Sequence, residues 1–567
     1  MRITEHHPSR PSIQSRPSLL LRLLVVFGAV AVLATACGSD DDEAAESGDS
    51  ASVIEDRSSD TAGGDAEADF STTDAGSTDD GSDADGFFAD ADDDMAEEAA
   101  ADGLFGSSEE EPDPARLEDN TFENHGVRPF VDTDVDATST FALDVDTGSY
   151  VVARRWIDEG VRPPADGVRV EEFVNFFDYD YAAPPEGLRL HVDGGPSPFD
   201  DGNVLVRVGV QAAVIDDDER PPAALTFVVD TSGSMDRDDR LGLVKEALRE
   251  LVDELDDDDT VAIVTYGDSS AIILEPTPAA QERTIVDAID DLRPGGSTNL
   301  EAGLRTGYEL ADQMFVEGGI NRLILASDGV ANVGTTDADR LTRDISDRAI
   351  DGIQLVTVGF GMGNFNDATM EQLADRGDGF YAYVDTRDEA ERLFEDELIA
   401  TLAPVAIDAR IQIQFDEDLV DEYRLIGFEN RGILDRDFRN DDVDAGELSS
   451  GHTVTALYEL DLDRDAGTGD DLGEITLRWR DPGTGNWIET DADIEFDDIE
   501  SRWLDTSLEF QLATTVATWA EVLRSSPYAD DIDLIAVAEE ADRLDRDLRT
   551  EQSDELADLT DRTVSLS

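Results

Sequence analysis

Between Ala224 and about Leu402, short runs of continuously apolar residues alternate with longer stretches whose apolar positions recur every three to four residues. The runs are "LTFVVD", "TVAIVTYG", "RLILASDG", "IQLVTVGF" and "FYAYVD". The stretches between them are "RLGLVKEALRELVDEL", "AAQERTIVDAIDDL", "NLEAGLRTGYELADQMF", "ADRLTRDISDRAI" and "DEAERLFEDELIATL". A strand that is apolar at every position is buried on both faces, and amphipathic helices between such strands supply the cover. The pattern predicts a doubly wound, Rossmann-like α/β domain with a parallel sheet. "AIILEP" follows "TVAIVTYG" after too few residues for a crossover helix, so it is predicted as an antiparallel edge strand.

Outside this region the periodicity changes. "LRLHVD" and "NVLVRVGVQAAV" precede it, and "IDARIQIQF", "HTVTALYEL", "GEITLRWR" and "WIETDADIEF" follow it, all alternating apolar and polar residues. Both flanks are therefore predicted to build one β-sandwich into which the α/β domain is inserted. "STFALDVDTGSY" reads as a strand and "SYVVARRWIDEG" as a helix closed by Gly160, and an apolar-faced helix is expected within "VRPPADGVRVEEFVNFFDYDY". "LEFQLATTVATWAEVLRSSPYADDIDLIAVAEEADRL" predicts C-terminal helices. The expected division is 121–223 for the N-terminal flank, 224–402 for the α/β domain and 403–567 for the β-rich domain and helices.

The N-terminus reads differently. Arg2, Arg10, Arg16 and Arg22 precede "LLVVFGAVAVLATA", an apolar stretch too short to span a bilayer comfortably, as in a secretion signal. It ends in "LATAC", which resembles the lipobox of bacterial lipoproteins; the resemblance implies cleavage of residues 1–36 and lipidation of Cys37. That is the only cysteine, so disulfides and cysteine zinc sites are excluded. Residues 37–120 are mostly Asp, Ser, Gly, Ala and Glu and predict a disordered acidic tether spanning roughly 50 Å. The expectation is a protein on the extracytoplasmic face of the cell membrane.

Charge narrows the function further. In 567 residues, 135 acidic against 42 basic side chains give a formal charge of −93, a field that repels nucleic acids. Lys245 is the single lysine, which fits either a GC-rich genome or a salty medium.

Oxygen-bearing side chains cluster at the predicted strand tips. Asp230, Ser232 and Ser234 end the first strand, Asp328 ends "RLILASDG", and Thr298 lies in "GGSTNL" before a helix. Open α/β sheets bind ligands at this edge. A nucleophilic serine needs a neighbouring base. Of the five histidines, His6 and His7 fall in the signal, His125 near the linker, and His191 and His452 outside the α/β domain. Hydroxyl and carboxylate oxygens suit a hard dication better, since Mg2+ takes six oxygens at about 2.1 Å and keeps several waters. A set of tip oxygens bonded only to each other and to water is the remaining reading.

"DTSGSMD", "GGSTNLEAGL" and "ILASDG" resemble the three pieces of the metal-ion-dependent adhesion site (MIDAS) of von Willebrand factor A domains. The resemblance implies that Asp230, Ser232, Ser234, Thr298 and Asp328 hold Mg2+ (or Mn2+/Ca2+), completed by an Asp or Glu of a protein partner. The flanks, "STFALDVDTGSYVVARRWIDEGVRPPADGVRVEEFVNFFDYDY" and the segment from "YRLIGFENRGILDRDF" to "HTVTALYEL", are similar to those of YfbK-like bacterial A-domain lipoproteins. Asp236, Asp238 and Asp239 are expected to be solvated rather than to bind calcium. "DLDRDAG" has Ala466 and Leu472 where an EF-hand needs glycine and glutamate, so no such loop is predicted. Asp144 and Asp146 are expected on one strand face in a structural, hydrogen-bonding role.

Three functions fit these features. The leading one is a lipid-anchored module that captures an acidic side chain through the ion, with no catalysis. A metal-stabilised envelope scaffold is the alternative. Metal-assisted hydrolysis is disfavoured because the field opposes phosphate substrates.

Overall fold

The computed structural model describes residues 122–143, 146–200, 202–215, 220–328, 338–361, 367–397, 404–441, 443 and 445–566. Cys37 and the predicted signal and tether lie outside this range. Among the described residues no helix is long and apolar enough to cross a membrane.

The apolar runs form a six-stranded sheet. Its order is Tyr381–Val384, Gln354–Phe360, Ile320–Ser327, Ala223–Asp230, Thr260–Tyr266 and Ser270–Pro278. Neighbours are parallel except the last pair, where Ser270–Pro278 returns as an antiparallel edge. All eight residues of Ala223–Asp230 and all eight of Ile320–Ser327 are buried, as central strands covered on both faces should be. After Ala223–Asp230 the chain adds strands on one side and then crosses to the other, so Asp230 and Asp328 end two adjacent strands at the reversal point.

The helix Leu300–Gln313 lies unusually close to this sheet. A Cβ at Gly303 would stand 2.8 Å from the Tyr266 ring, and one at Gly307 would stand 2.4 Å from Val228 Cγ2. Only glycine permits that approach, which brings the helix start, and Thr298 just ahead of it, down to the strand tips. Asn299 fixes where the helix begins by accepting a hydrogen bond from the Ala302 amide at 3.1 Å.

The flanks form a two-sheet sandwich. One sheet is ordered Val131–Asp132, Val420–Ile426, Thr453–Leu462, Val204–Ala212 and Leu188–Pro196. In the other, Gly446–Ser449, Pro404–Phe415, Asp471–Arg480 and Trp487–Glu495 run in sequence, with Thr138–Ala142 also paired to Pro404–Phe415. Each sheet mixes strands from before and after the α/β domain: Val204–Ala212 pairs with Thr453–Leu462 from Val204↔Leu460 to Gln211↔Thr453. Phe141, Val206, Val208, Ile411, Ile413, Tyr458, Ile475 and Leu477 fill the space between the sheets.

Helices from both flanks close the remaining face. Gly148–Asp158 and Val170–Asn175 pack with Leu508–Leu523 around Tyr150, Phe173, Phe176, Phe177 and Trp519, in one core with Tyr381 and Tyr383 of the α/β edge strand. Tyr150 stacks on Phe176 at 3.9 Å between centroids. The chain ends in Leu534–Leu548 and Glu551–Ser565.

One local expectation is corrected. The strand predicted through "DVDTGSY" stops at Ala142, so Asp146 stands beyond it, and Asp144 lies outside the described residues. Asp146 is buried at a joint, accepting the Tyr381 amide at 3.0 Å and pairing with Arg431 at 3.0 Å.

Candidate functional site

Asp230 is the last residue of its strand and fully buried; its Oδ1 accepts the Ser232 amide at 2.7 Å and its Oδ2 the Ser327 hydroxyl at 3.2 Å. Burial pushes its carboxyl up to about 6, and the negative charge of Asp328 acts in the same direction. Tyr266 lies against the same carboxylate, and its hydroxyl is raised well above its usual range by burial first and by Asp230 second.

The hydrogen bond from the Ser232 amide to Asp230 turns the chain so that the Ser232 and Ser234 hydroxyls meet, their Oγ atoms 2.9 Å apart. Ser232 is buried and Ser234 exposed, so the pair forms a short ramp from the strand tip to solvent. Two neighbouring ligands of an octahedral ion at about 2.1 Å stand about 3.0 Å apart, which is the separation of this pair.

The loop carrying Thr298 is pinned to the serine loop. Gly295 N donates to Thr231 O at 2.6 Å, and Gly233 N donates to Gly296 O at 3.1 Å. Gly295 and Gly296 hold φ of 152° and 99°, which a side chain would resist, and Asp268 fixes the next residue by accepting the Ser297 amide at 2.8 Å. Thr298 follows, half-buried, one residue before the helix cap.

Asp328 is fully buried, and its two oxygens are not equivalent. Oδ2 accepts from Arg240 Nη1, whereas Oδ1 is buried with no hydrogen-bond partner among the described residues. Such an orphan is costly unless something cationic or protic meets it. The donor set therefore fits a hard dication: two hydroxyls at ligand spacing, two buried carboxylates, one with an open lone pair, and a threonine on the adjoining loop.

The sequence motifs passed over Arg240, Tyr266 and Ser327. A signal for Arg240 was present, since a cation just ahead of the helix Leu243–Asp253 opposes the helix dipole unless an anion waits for it. Asp236 is exposed, and Asp239 lies half-exposed at 3.9 Å from Arg155. A second acidic group, Asp146, Glu172 and Glu371, also brings its oxygens within 4.8 Å of one another. Arg169 and Arg431 pair with all three, and the amides of Tyr381 and Ser149 and the Asn430 side chain occupy further lone pairs. It is an ion-paired joint between flanks and domain, with its charge already spoken for.

Comparison with known proteins agrees with this architecture. The von Willebrand factor type A domain family matches residues 224–396, a family described as von Willebrand factor matches 116–207, and the family described as uncharacterized protein YfbK, C-terminal, matches 400–566. The uncharacterized protein YfbK of Escherichia coli K12 is 41% identical over 333 residues, 57% of this chain and 58% of that protein. The uncharacterized protein sll0103 of Synechocystis is 26% identical over 295 residues, 49% of this chain and 67% of the relative. The match to YfbK thus spans less than two thirds of that protein's length. Among solved structures, a von Willebrand factor type A protein from Catenulispora acidiphila aligns with a TM-score of 0.39 and 14% identity, over 65% of this chain and 88% of that one. The chain is a YfbK-like protein with a von Willebrand factor type A domain and a YfbK C-terminal domain.

Proposed function

We propose that the domain binds a partner protein by taking one of its Asp or Glu side chains at a metal ion held by Asp230, Ser232, Ser234, Thr298 and Asp328. The observation carrying this reading is the pairing of two hydroxyls 2.9 Å apart with a buried carboxylate oxygen that has no hydrogen-bond partner among the described residues. A bound dication supplies a Lewis-acidic point for an outside carboxylate. The chain's own residues do the rest. Asp230 orients the serine loop through the Ser232 amide, the Gly295–Gly296 turn pins the loop that leads to Thr298 beside it, and Ser234, at the exposed end, marks where a partner would enter. Lipidation at Cys37, outside the described residues, would anchor the chain to the membrane.

The test uses the full chain. Mn2+ titration followed by electron paramagnetic resonance should show one tight ion per chain, lost in a Ser232→Ala/Ser234→Ala double variant. Capture of envelope proteins should fall on chelation and in the same variant. Absence of Mn2+ uptake, or capture indifferent to both changes, overturns the proposal. A scaffold role draws on the buried ion pairs that fasten the domain to its flanks, and it differs in predicting metal-dependent stabilisation with no preference for acidic ligands.

A further inference from the structure

Arg240 occupies a place that the site's oxygens alone do not explain. It is 4% exposed, in the π-helical turn Asp238–Gly242, and its guanidinium reaches two parts of the site at once. Nη1 donates to the Ser234 carbonyl at 3.0 Å and to Asp328 Oδ2. The slot it runs through is built from a third element. Gly361, just after the strand Gln354–Phe360 and at φ 73°, has no side chain, and a Cβ there would fall 2.6 Å from Arg240 Cγ. Three separate segments, the serine loop, the Asp328 strand tip and the Gly361 turn, thus converge on one buried cation.

Resting on the metal reading above, we propose that Arg240 is the positioning and specificity-determining residue of the site: it holds one oxygen of Asp328, leaves the other for the ion, and sets the charge that makes the loaded site select a carboxylate. The charge argument is direct. Asp230 and Asp328 together offset the charge of a dication, so beyond the ion's own affinity for oxygen the net field of the site adds little preference for an anion over water or an amide. Arg240 leaves the loaded site with one positive charge, which one carboxylate cancels. This matters more here than in an ordinary protein, because a chain of net charge −93 repels acidic partners unless the field is reversed locally. The same positive charge opposes the ion, so the arrangement gives up cation affinity for ligand selectivity.

The experiment compares full-length wild type, Arg240→Gln and Arg240→Lys. Mn2+ affinity is read by electron paramagnetic resonance, and ligand entry by the loss of water proton relaxation when acetate or acetamide is titrated onto the Mn2+-loaded protein. The wild type should respond to acetate and not to acetamide. Arg240→Gln should bind Mn2+ about tenfold more tightly and acetate about tenfold more weakly, as removal of a neighbouring buried charge requires. Arg240→Lys, which keeps the charge, should retain the acetate preference, and it carries the test if the glutamine variant does not fold. Mn2+ and acetate affinities within twofold of wild type in Arg240→Gln, weaker Mn2+ binding in both variants, or loss of the acetate preference in Arg240→Lys would each overturn the role of Arg240. Failure of the wild type itself to take up Mn2+ overturns the metal reading, and this one with it.

Discussion

Replacing Asp230 with asparagine should stabilise the metal-free protein while abolishing its response to metal. Asp230 and Asp328 are both fully buried, and among the described residues the one guanidinium bonded to either of them is spent on Asp328. Without an ion, the Asp230 charge is retained at a desolvation cost. Its carboxyl rises from 3.8 to about 6, and at about 1.4 kcal/mol per unit the folded state loses roughly 3 kcal/mol once pH exceeds both values. The sign follows from proton binding: between the two values the folded state holds more protons than the unfolded one, so stability is full at low pH and is lost as pH rises through about 6. Asparagine keeps an acceptor for the Ser232 amide and removes the charge. In chelator at pH 8 the variant should therefore exceed wild type by about 2–3 kcal/mol, with the gap closing near pH 4. Adding Mg2+ at a hundredfold excess over its dissociation constant should give wild type about 2.7 kcal/mol and the variant nothing, bringing the two close to parity. Amide hydrogen exchange in the strands Ala223–Asp230 and Ile320–Ser327 reports this locally, which suits a chain of several domains better than one melting temperature. A variant that is less stable than wild type in chelator, or that gains as much from Mg2+, refutes the reasoning.

Three other perturbations test the frame around the site. Arg154→Met removes a guanidinium that bonds Asp385 at 2.6 Å, Glu389 at 2.8 Å and Glu555 at 3.0 Å, leaving buried carboxylates exposed to one another; a loss of about 3–5 kcal/mol is expected, read as faster hydrogen exchange in Gly148–Asp158 and Arg387–Glu391. Glu171 is pushed up to about 7 by burial and then by the charge of Glu429, so stability should fall as pH rises from about 4.5 to about 7; Glu171→Gln should raise the unfolding free energy measured by urea titration at pH 8 by roughly 2–3 kcal/mol, and leave it nearly unchanged near pH 4.5. Gly307→Ala places a methyl group 2.4 Å from Val228 Cγ2, and should cost about 1–3 kcal/mol in strain while weakening Mn2+ affinity, because the helix that carries the Thr298 loop must lift from the sheet.

The parts of this molecule legible in its sequence are those whose physical cause is local. A strand buried on both faces must be apolar throughout, so the α/β sheet declared itself, and the brevity of the turn before Ser270–Pro278 was enough to mark that strand as antiparallel. The places of Asp230 and Asp328 at the strand tips were legible for the same reason, since each closes an apolar run. Val420–Ile426 was not, because "VDEYRLI" carries three charges and reads as a surface segment. In the structure Arg424 is fully buried, paired with Glu459 at 2.8 Å and Glu521 at 3.5 Å and lying 4.1 Å from the Tyr528 ring. Its partners are 35 and 97 residues further along, where no periodicity can see them.

Arg240 follows the same rule and shows why it bears on function. Its partner Asp328 is 88 residues away, and only the meeting of the two gives the charge balance that decides what the strand tips can hold. In a protein this acidic, each buried or half-buried arginine is a scarce local reversal of the field: Arg154 and Arg431 join the flanks to the α/β domain, Arg424 joins one sandwich sheet to the helix Leu508–Leu523, and Arg240 turns inward to the tip oxygens. The first three each pair with two or three carboxylates. Arg240 meets a carboxylate whose other oxygen is buried with no hydrogen-bond partner among the described residues, and an acceptor of that kind is costly unless a cation or a proton donor meets it.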